Sequence, residues 1–270
     1  MSEETSVRPK LIAIDFDGTL LRSDATISER TVSAIRTADT AGIRIIVVTG
    51  RPPRWLGPIA ELLDHRGTTI AANGALVVDL TTLKILDSRH VERAVAATVI
   101  QRLRASFPGV AFGVERPGGF VHERDYPRGL RKSELAPQVS CAHTLEELLA
   151  EPPVKILARV ESVPIDDAAR TAIDVLDGVA DVYFSGWDLL EIAPAGVSKA
   201  STLERIAATW GIGSEHIVAI GDMPNDIPMI TWAGRGVAVA NAHPLVREVA
   251  DDVTASNDDD GVALVIERLL

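Results

Sequence analysis

Four short segments of the 270-residue chain carry residue types that handle phosphate when they are brought together. They are Asp15-Phe16-Asp17-Gly18-Thr19, Thr49-Gly50-Arg51, Lys199, and Gly221-Asp222-Met223-Pro224-Asn225-Asp226. Crowded carboxylates repel one another unless a cation shares them, and an all-oxygen ligand set suits magnesium, which keeps several waters. Such an ion offsets charge on a transferring phosphoryl group. With that charge offset, one carboxylate can attack phosphorus and form an acyl phosphate. A second carboxylate two residues on can protonate the leaving oxygen and later activate water. The Thr49 hydroxyl and free backbone N–H groups can hold phosphate oxygens. Lys199 adds a cation that stays charged.

These segments converge only if the chain folds to place them at one edge. Lys10–Ile14 is a short apolar run that stops at Asp15, as a buried strand feeding a loop would. Ser28–Ala41 reads as a helix, with Ser28 as its cap and Gly42 closing it. Arg44–Val48 is a second strand ending at Thr49. Two strands joined by such a helix form a parallel pair. Lys199–Trp210 reads as a helix and Ile217–Ile220 as a strand. A helix near Pro224–Trp232, a strand at Gly236–Ala240, a helix at Pro244–Ala250 and a last helix near Asp259–Leu270 complete this half. Ligands bind outside the carboxyl ends of strands in open parallel sheets, and there each segment falls.

Between these halves the grammar changes. Helices are expected at Val91–Phe107 and Ile165–Leu176, with strands near Val110–Glu115, Val154–Val160 and Val179–Ser185. The stretches Pro117–Gly119 and Arg124–Pro137, rich in Pro, Gly and Arg, read as surface loops. The expected fold is α/β: residues 1–80 and 189–270 form a parallel-sheet core, and 81–188 an inserted α/β cap. The run Asn257-Asp258-Asp259-Asp260 is expected to cap the last helix.

Composition narrows the partners. The formal charge of 27 − 38 = −11 argues against a nucleic-acid binder, which needs Lys and Arg to neutralise phosphates. No apolar run is long enough to span a membrane, and the polar start MSEETSVRPK does not read as a signal peptide. A cytoplasmic protein is the expectation. The single cysteine, Cys141, excludes an intrachain disulfide and a thiolate cluster, and it reads as a small apolar residue.

The four segments resemble the motifs of the haloacid-dehalogenase-like superfamily. IDFDGTLL at Ile14–Leu21, VVTGR at Val47–Arg51, GVSKAS at Gly196–Ser201 and GDMPNDIPMI at Gly221–Ile230 correspond to its first to fourth motifs. AANGA at Ala71–Ala75, APAGVSK at Ala193–Lys199 and NAHPLVREVADDVTASNDDDGV at Asn241–Val262 are similar to its Cof-type, type IIB branch. The likeness is strong over roughly 10–80 and 189–270 and weak between. It implies a Rossmann-like core with the cap inserted after the second motif. It also implies a Mg2+-dependent phosphatase of small phosphorylated metabolites, such as sugar phosphates or phosphorylated cofactors. On the same basis Asp15 is the nucleophile, Asp17 the acid/base, and Thr49 and Lys199 their partners. Gly18, Gly50, Arg51, Asn73 and Asn225 then lie at phosphate or substrate, and Asp15, Asp17, Asp222 and Asp226 at the metal. A phosphomutase of the same superfamily and a non-catalytic phosphometabolite sensor are the rival readings. Oligomeric state and the identity of the substrate are not readable from this chain.

Several residues carry two readings. Asp-Gly is a common turn signal, but three partner segments make that reading of Asp17-Gly18 weak. A lysine opening a helix is disfavoured by the dipole unless an anion sits beside it. Asn73-Gly74 is equally a hairpin turn between Thr69–Ala72 and Ala75–Val78. His122, Arg124, Arg128 and Arg131 are expected in loops of the insertion, solvated more often than substrate-bound. Trp187 and Trp232 read as packing. Pro228 is expected to delay or tighten the helix of the fourth segment, which puts the supporting role of Asp226 in question.

Overall fold

The computed structural model describes residues 8–62, 64, 67–126, 138–184 and 189–270. Arg128, Arg131 and Trp187 lie outside the described residues.

The first strand, β1 (Leu11–Asp15), is buried along its whole length, which requires cover on both faces. It leads to α1 (Glu29–Thr40), where the Ser28 side chain accepts from the Thr31 N–H, and then to β2 (Arg44–Val48). Next come a single 3-10 turn at Pro53–Trp55, α2 (Gly57–Leu62), β3 (Thr68–Ala71), β4 (Leu76–Asp79) and β5 (Ile85–Ser88). The insertion holds α3 (Arg93–Ser106), β6 (Ala111–Arg116), β7 (Gly119–Glu123), β8 (Val139–Ala142) and α4 (Leu145–Leu148). It continues through β9 (Lys155–Arg159), α5 (Ile165–Leu176), β10 (Ala180–Tyr183) and β11 (Leu189–Pro194). The chain returns as α6 (Lys199–Thr209), β12 (Ile217–Gly221), α7 (Ile227–Trp232) and β13 (Arg235–Ala238). It closes with α8 (Pro244–Val249), β14 (Asp252–Val253) and α9 (Gly261–Leu269).

Two sheets result. An eight-stranded sheet runs β14-β13-β12-β1-β2-β3-β4-β5, and a six-stranded sheet runs β10-β11-β9-β6-β7-β8. From β14 to β3 every neighbouring pair is parallel, while β4 and β5 add an antiparallel edge. Beside a small cluster of Ala111, Phe120, Tyr126 and Leu157, two large apolar cores follow among the described residues. One surrounds β1, β2 and β12, and the other packs α3 and α5 on the smaller sheet.

The expected α/β architecture is present, but the expected boundaries shift. Ile85–Ser88 pairs within the larger sheet, so the smaller unit begins after it and not at 81. Leu189–Pro194 pairs with β9 and β10 in the smaller sheet, so the return to the core lies after 194 and not at 189. The loop reading of His122 is also corrected. It sits in β7, buried against Phe120 and Tyr126, because alternation along GFVHE turns every second side chain inward. Arg124 is exposed in the turn that follows. Cys141 lies on β8 and is exposed, so it does not pack as a core residue. Trp232 packs on the larger core, as expected.

Candidate active site

The parallel sheet sets the site by register. Asp15 pairs with Val48 across β1 and β2, so Thr49 leaves the sheet beside it. Asp222 follows β12, the strand on the other flank of β1. Lys199 is the first residue of α6, where Ser198 and Ser201 exchange side-chain-to-backbone hydrogen bonds that fix the helix start.

These elements bring three carboxylates together. Asp15, Asp222 and Asp226 are buried, and each offers an oxygen within 4.8 Å of the others. The Lys199 ammonium donates to Asp15 Oδ1 and Asp226 Oδ1, each at 2.6 Å. The Thr19 hydroxyl donates to Asp222 Oδ1 at 3.0 Å. Burial, then the charge of Asp226, holds the Asp15 carboxyl well above the ordinary range. The same two causes push Asp222 up to about 7. Burial alone would lower the Lys199 ammonium, but Asp15 and Asp226 together raise it. One ammonium therefore faces three carboxylates out of water, an excess of negative charge that a divalent cation would relieve. The donor set fits such an ion: all oxygen, close together and buried.

Pro228 does not displace Asp226. Pro224–Asp226 forms a 3-10 turn, and Pro228 falls at the second position of α7, where no intrahelical N–H bond is lost. Asp226 Oδ2 accepts from the backbone N–H groups of Asp222 and Met223, at 3.1 and 3.0 Å.

The Asp17 carboxylate lies apart from this cluster. It is half exposed and pairs with the Arg51 guanidinium, at 2.6 Å from Nη2 and 2.9 Å from Nε. Arg51 also lies 4.7 Å above the Phe16 ring. The planar fork of arginine matches a carboxylate, so this pair sits at the rim and not in the buried cluster. Thr49 is fully buried, its hydroxyl accepting from the Arg51 N–H at 3.0 Å.

The glycines mark close approaches. Gly18 has φ +81°, and a Cβ there would collide with the Asp222 carboxylate. A Cβ on Gly50 would lie 2.9 Å from Asn73 Oδ1. The turn reading of Asn73 holds, since β3 and β4 pair antiparallel on either side of it. It is left-handed, at φ 57°, within the Ala72–Gly74 turn, and its side chain accepts from Asn225 Nδ2 at 3.2 Å. Its own amide donates to Glu191. Asn225 Oδ1 is buried with no partner.

Glu191, Lys155, Glu115 and Arg54 were not among the sequence candidates. Lys155 Nζ donates to the Gly50 carbonyl at 2.7 Å and to Glu191 at 3.2 Å, so β9 and β11 meet the second motif directly. Glu115 on β6 pairs with Arg54 through both guanidinium nitrogens. The available signal was a charge inside an apolar strand, as in VKILA and LLEIA, since such residues are rarely buried unless paired. Lys155→Met should destabilise the fold by about 3 kcal/mol or more, because Glu191 loses its buried cation. Lys155→Met with Glu191→Leu should recover much of the loss, as read by urea unfolding midpoints; equal midpoints for wild type and the single variant would refute the pairing.

A parallel α/β core, a second sheet closing on it and a buried carboxylate–lysine cluster define a phosphatase-type enzyme. The chain belongs to the haloacid dehalogenase-like hydrolase family, whose family model matches residues 12–266. It is 31% identical to the 5-amino-6-(5-phospho-D-ribitylamino)uracil phosphatase YcsE of Bacillus subtilis, over 96% of this chain and 95% of that protein. It is similar to a haloacid dehalogenase-like hydrolase structure from Bacteroides thetaiotaomicron, at TM-score 0.77 and 28% identity, covering 97% of this chain and 100% of that one. A subclass IIB sugar phosphatase shares the fold at TM-score 0.82 and 21% identity, covering 97% and 100%. Among the described residues no helix is long and apolar enough to cross a membrane.

Proposed function

We propose that this phosphatase hydrolyses small phosphate monoesters through an aspartyl-phosphate on Asp15, with Mg2+ as cofactor. The buried cluster of Asp15, Asp222 and Asp226 against one lysine carries the reading. When bound there, Mg2+ supplies positive charge beside the phosphoryl oxygens. Asp15 attacks phosphorus as the ester oxygen leaves, and Asp17, from the rim, gives that oxygen a proton. Asp17 then takes a proton from the water that attacks phosphorus, the Asp15–phosphate bond breaks, and inorganic phosphate departs. Thr49 and the Gly50 backbone hold phosphate oxygens, and Lys199 keeps Asp15 oriented.

Beside Asp17 and Arg51 lies an open depression of about 440 Å³, also lined by Arg22, Ser23 and Asn241, with room for a small leaving group. Its polar lining favours an ester of a hydroxyl-rich carbon chain. The ribityl phosphate named for the Bacillus relative and the sugar phosphates named for the IIB neighbour are of that kind. The insertion contributes Lys155 and Glu191 beside Gly50 and is the part that selects substrate.

Phosphate release should be measured over a panel of phosphorylated sugars, sugar alcohols, nucleotides and cofactors. Removing divalent cations with EDTA should lower turnover by about 100-fold or more, and added Mg2+ should restore it. Undiminished turnover in EDTA would overturn the metal assignment. A requirement for a bisphosphate activator, without free phosphate, would favour a mutase.

A further inference from the structure

The loop that carries Asp17 is gripped from outside by the C-terminal segment. Asn241 Nδ2 donates to the Gly18 carbonyl at 2.8 Å. Asn257 Nδ2 donates to the Leu21 carbonyl at 2.9 Å, and the Asn257 N–H donates to Asn241 Oδ1 at 2.9 Å. The Asn257 backbone thus braces the Asn241 side chain, and the two side chains make two separate holds on the loop. Asp258 adds a third hold, accepting from Ser23 N–H and Oγ at 2.9 and 2.8 Å, and Asp260 pairs with Arg22 at 2.6 Å. Asp260 stands at the N-cap position of α9, as expected of the acidic run, but at φ 60° its side chain makes no bond to the helix start and turns to Arg22.

The same segment also reaches the metal-side loop. The His243 N–H donates to the Asp222 carbonyl at 2.8 Å. From inside, Thr19 and the tight approach of Gly18 already press the first loop on Asp222. The Asp17 loop is thus clasped between Asp222 and the Asn241 and Asn257 side chains. Within the loop, the Leu21 N–H donates to the Phe16 carbonyl at 2.8 Å, and Asp17 and Leu21 form an isolated parallel bridge. The clasp is itself braced. Ser256 Oγ donates to Asp259 at 2.6 Å, and the Gly261 N–H donates to the Ser256 carbonyl at 2.9 Å.

We propose that Asn241 and Asn257 are positioning residues, which set the loop of Asp17 relative to Asp222 through the Gly18 and Leu21 carbonyls. This rests on the phosphatase reading of the same site. A catalytic group displaced by about 1 Å can cost on the order of 100-fold in rate, so loss of these holds acts on turnover more than on binding.

The test uses the full chain with Asn241→Ala, Asn257→Ala and the double variant, assayed with saturating Mg2+ on the best substrate of the panel. Each single variant should lower kcat by roughly 10- to 100-fold with KM within about twofold. The double variant should lose more than either single one, because in Asn257→Ala the backbone N–H at that position still braces Asn241 and the hold on Gly18 remains. Hydrogen exchange provides the second readout. The amides of Leu20, Leu21 and Ser23 should exchange faster in the variants, with α1 and β12 unchanged. Unaltered exchange at those amides in folded variants would overturn the proposal. So would a loss of kcat that only follows a general fall in the thermal midpoint. A wild-type chain that releases no phosphate from any substrate would sink the phosphatase reading, while exchange would still decide whether the two side chains hold the loop.

Discussion

Asp15→Asn should abolish phosphate release without harming the fold. Asparagine keeps the shape of the side chain and removes the attacking oxygen's charge, so kcat should fall by roughly 10⁴-fold or more. Stability should move the other way or not at all. Burial and Asp226 hold the Asp15 carboxyl well above its ordinary range, so its surroundings favour the neutral form. Lys199 keeps Asp226 as a partner in the variant. The thermal midpoint without metal should therefore equal or exceed that of the wild type. Acid-quenched enzyme should carry phosphate on the wild type and none on the variant. A folded variant with near-normal, Mg2+-dependent turnover would remove Asp15 as the nucleophile.

What was legible in the sequence was what local punctuation marks. Asp15, Thr49 and Asp222 each follow the abrupt end of an apolar run, and Lys199 opens a helix behind a serine cap, so a parallel sheet brings them to one edge. Asp226 was legible as a residue but not in its setting, because proline in a short turn reads as disruption when it falls where no N–H is lost. Pairings across the chain were less legible. Lys155 and Glu191 are 36 residues apart and meet only because β9 and β11 are neighbours. Leu189–Pro194 stands directly before the third motif, which suggested the core, yet its hydrogen bonds run to β9 and β10. The carboxylate of Asp17 could not be placed by its motif, since Arg51, 34 residues away, decides where it points.

Lys199→Met should cost both activity and stability, and the stability loss should depend on pH in a definite direction. In the wild type, Asp15 and Asp226 raise the Lys199 ammonium above its already high ordinary value. It is thus charged throughout the accessible range, so its own titration adds no pH dependence between about pH 5 and pH 9; the dependence comes from the carboxylates it faces. Methionine fills the space but leaves three buried carboxylates without their cation, which costs about 3–5 kcal/mol near pH 8. The carboxylates respond by taking up protons. Asp222 already stands at about 7 against an ordinary 3.8, and loss of the ammonium moves both it and Asp15 further up. A carboxyl whose folded pKa exceeds its unfolded one binds protons preferentially in the fold. The penalty is then full above the folded pKa and vanishes as pH falls toward the unfolded value. The thermal midpoint of Lys199→Met should accordingly rise on acidification from about pH 8 to about pH 5, more steeply than that of the wild type. Mg2+ should restore part of the stability near pH 8 and less near pH 5, because protons and the ion compete for the same oxygens. Turnover should be lost at every pH, since protonation repairs the charge balance but not the hold on Asp15. A midpoint deficit that ignores both pH and Mg2+ would mean that Lys199 acts through packing alone, and the charge account of the cluster would fail.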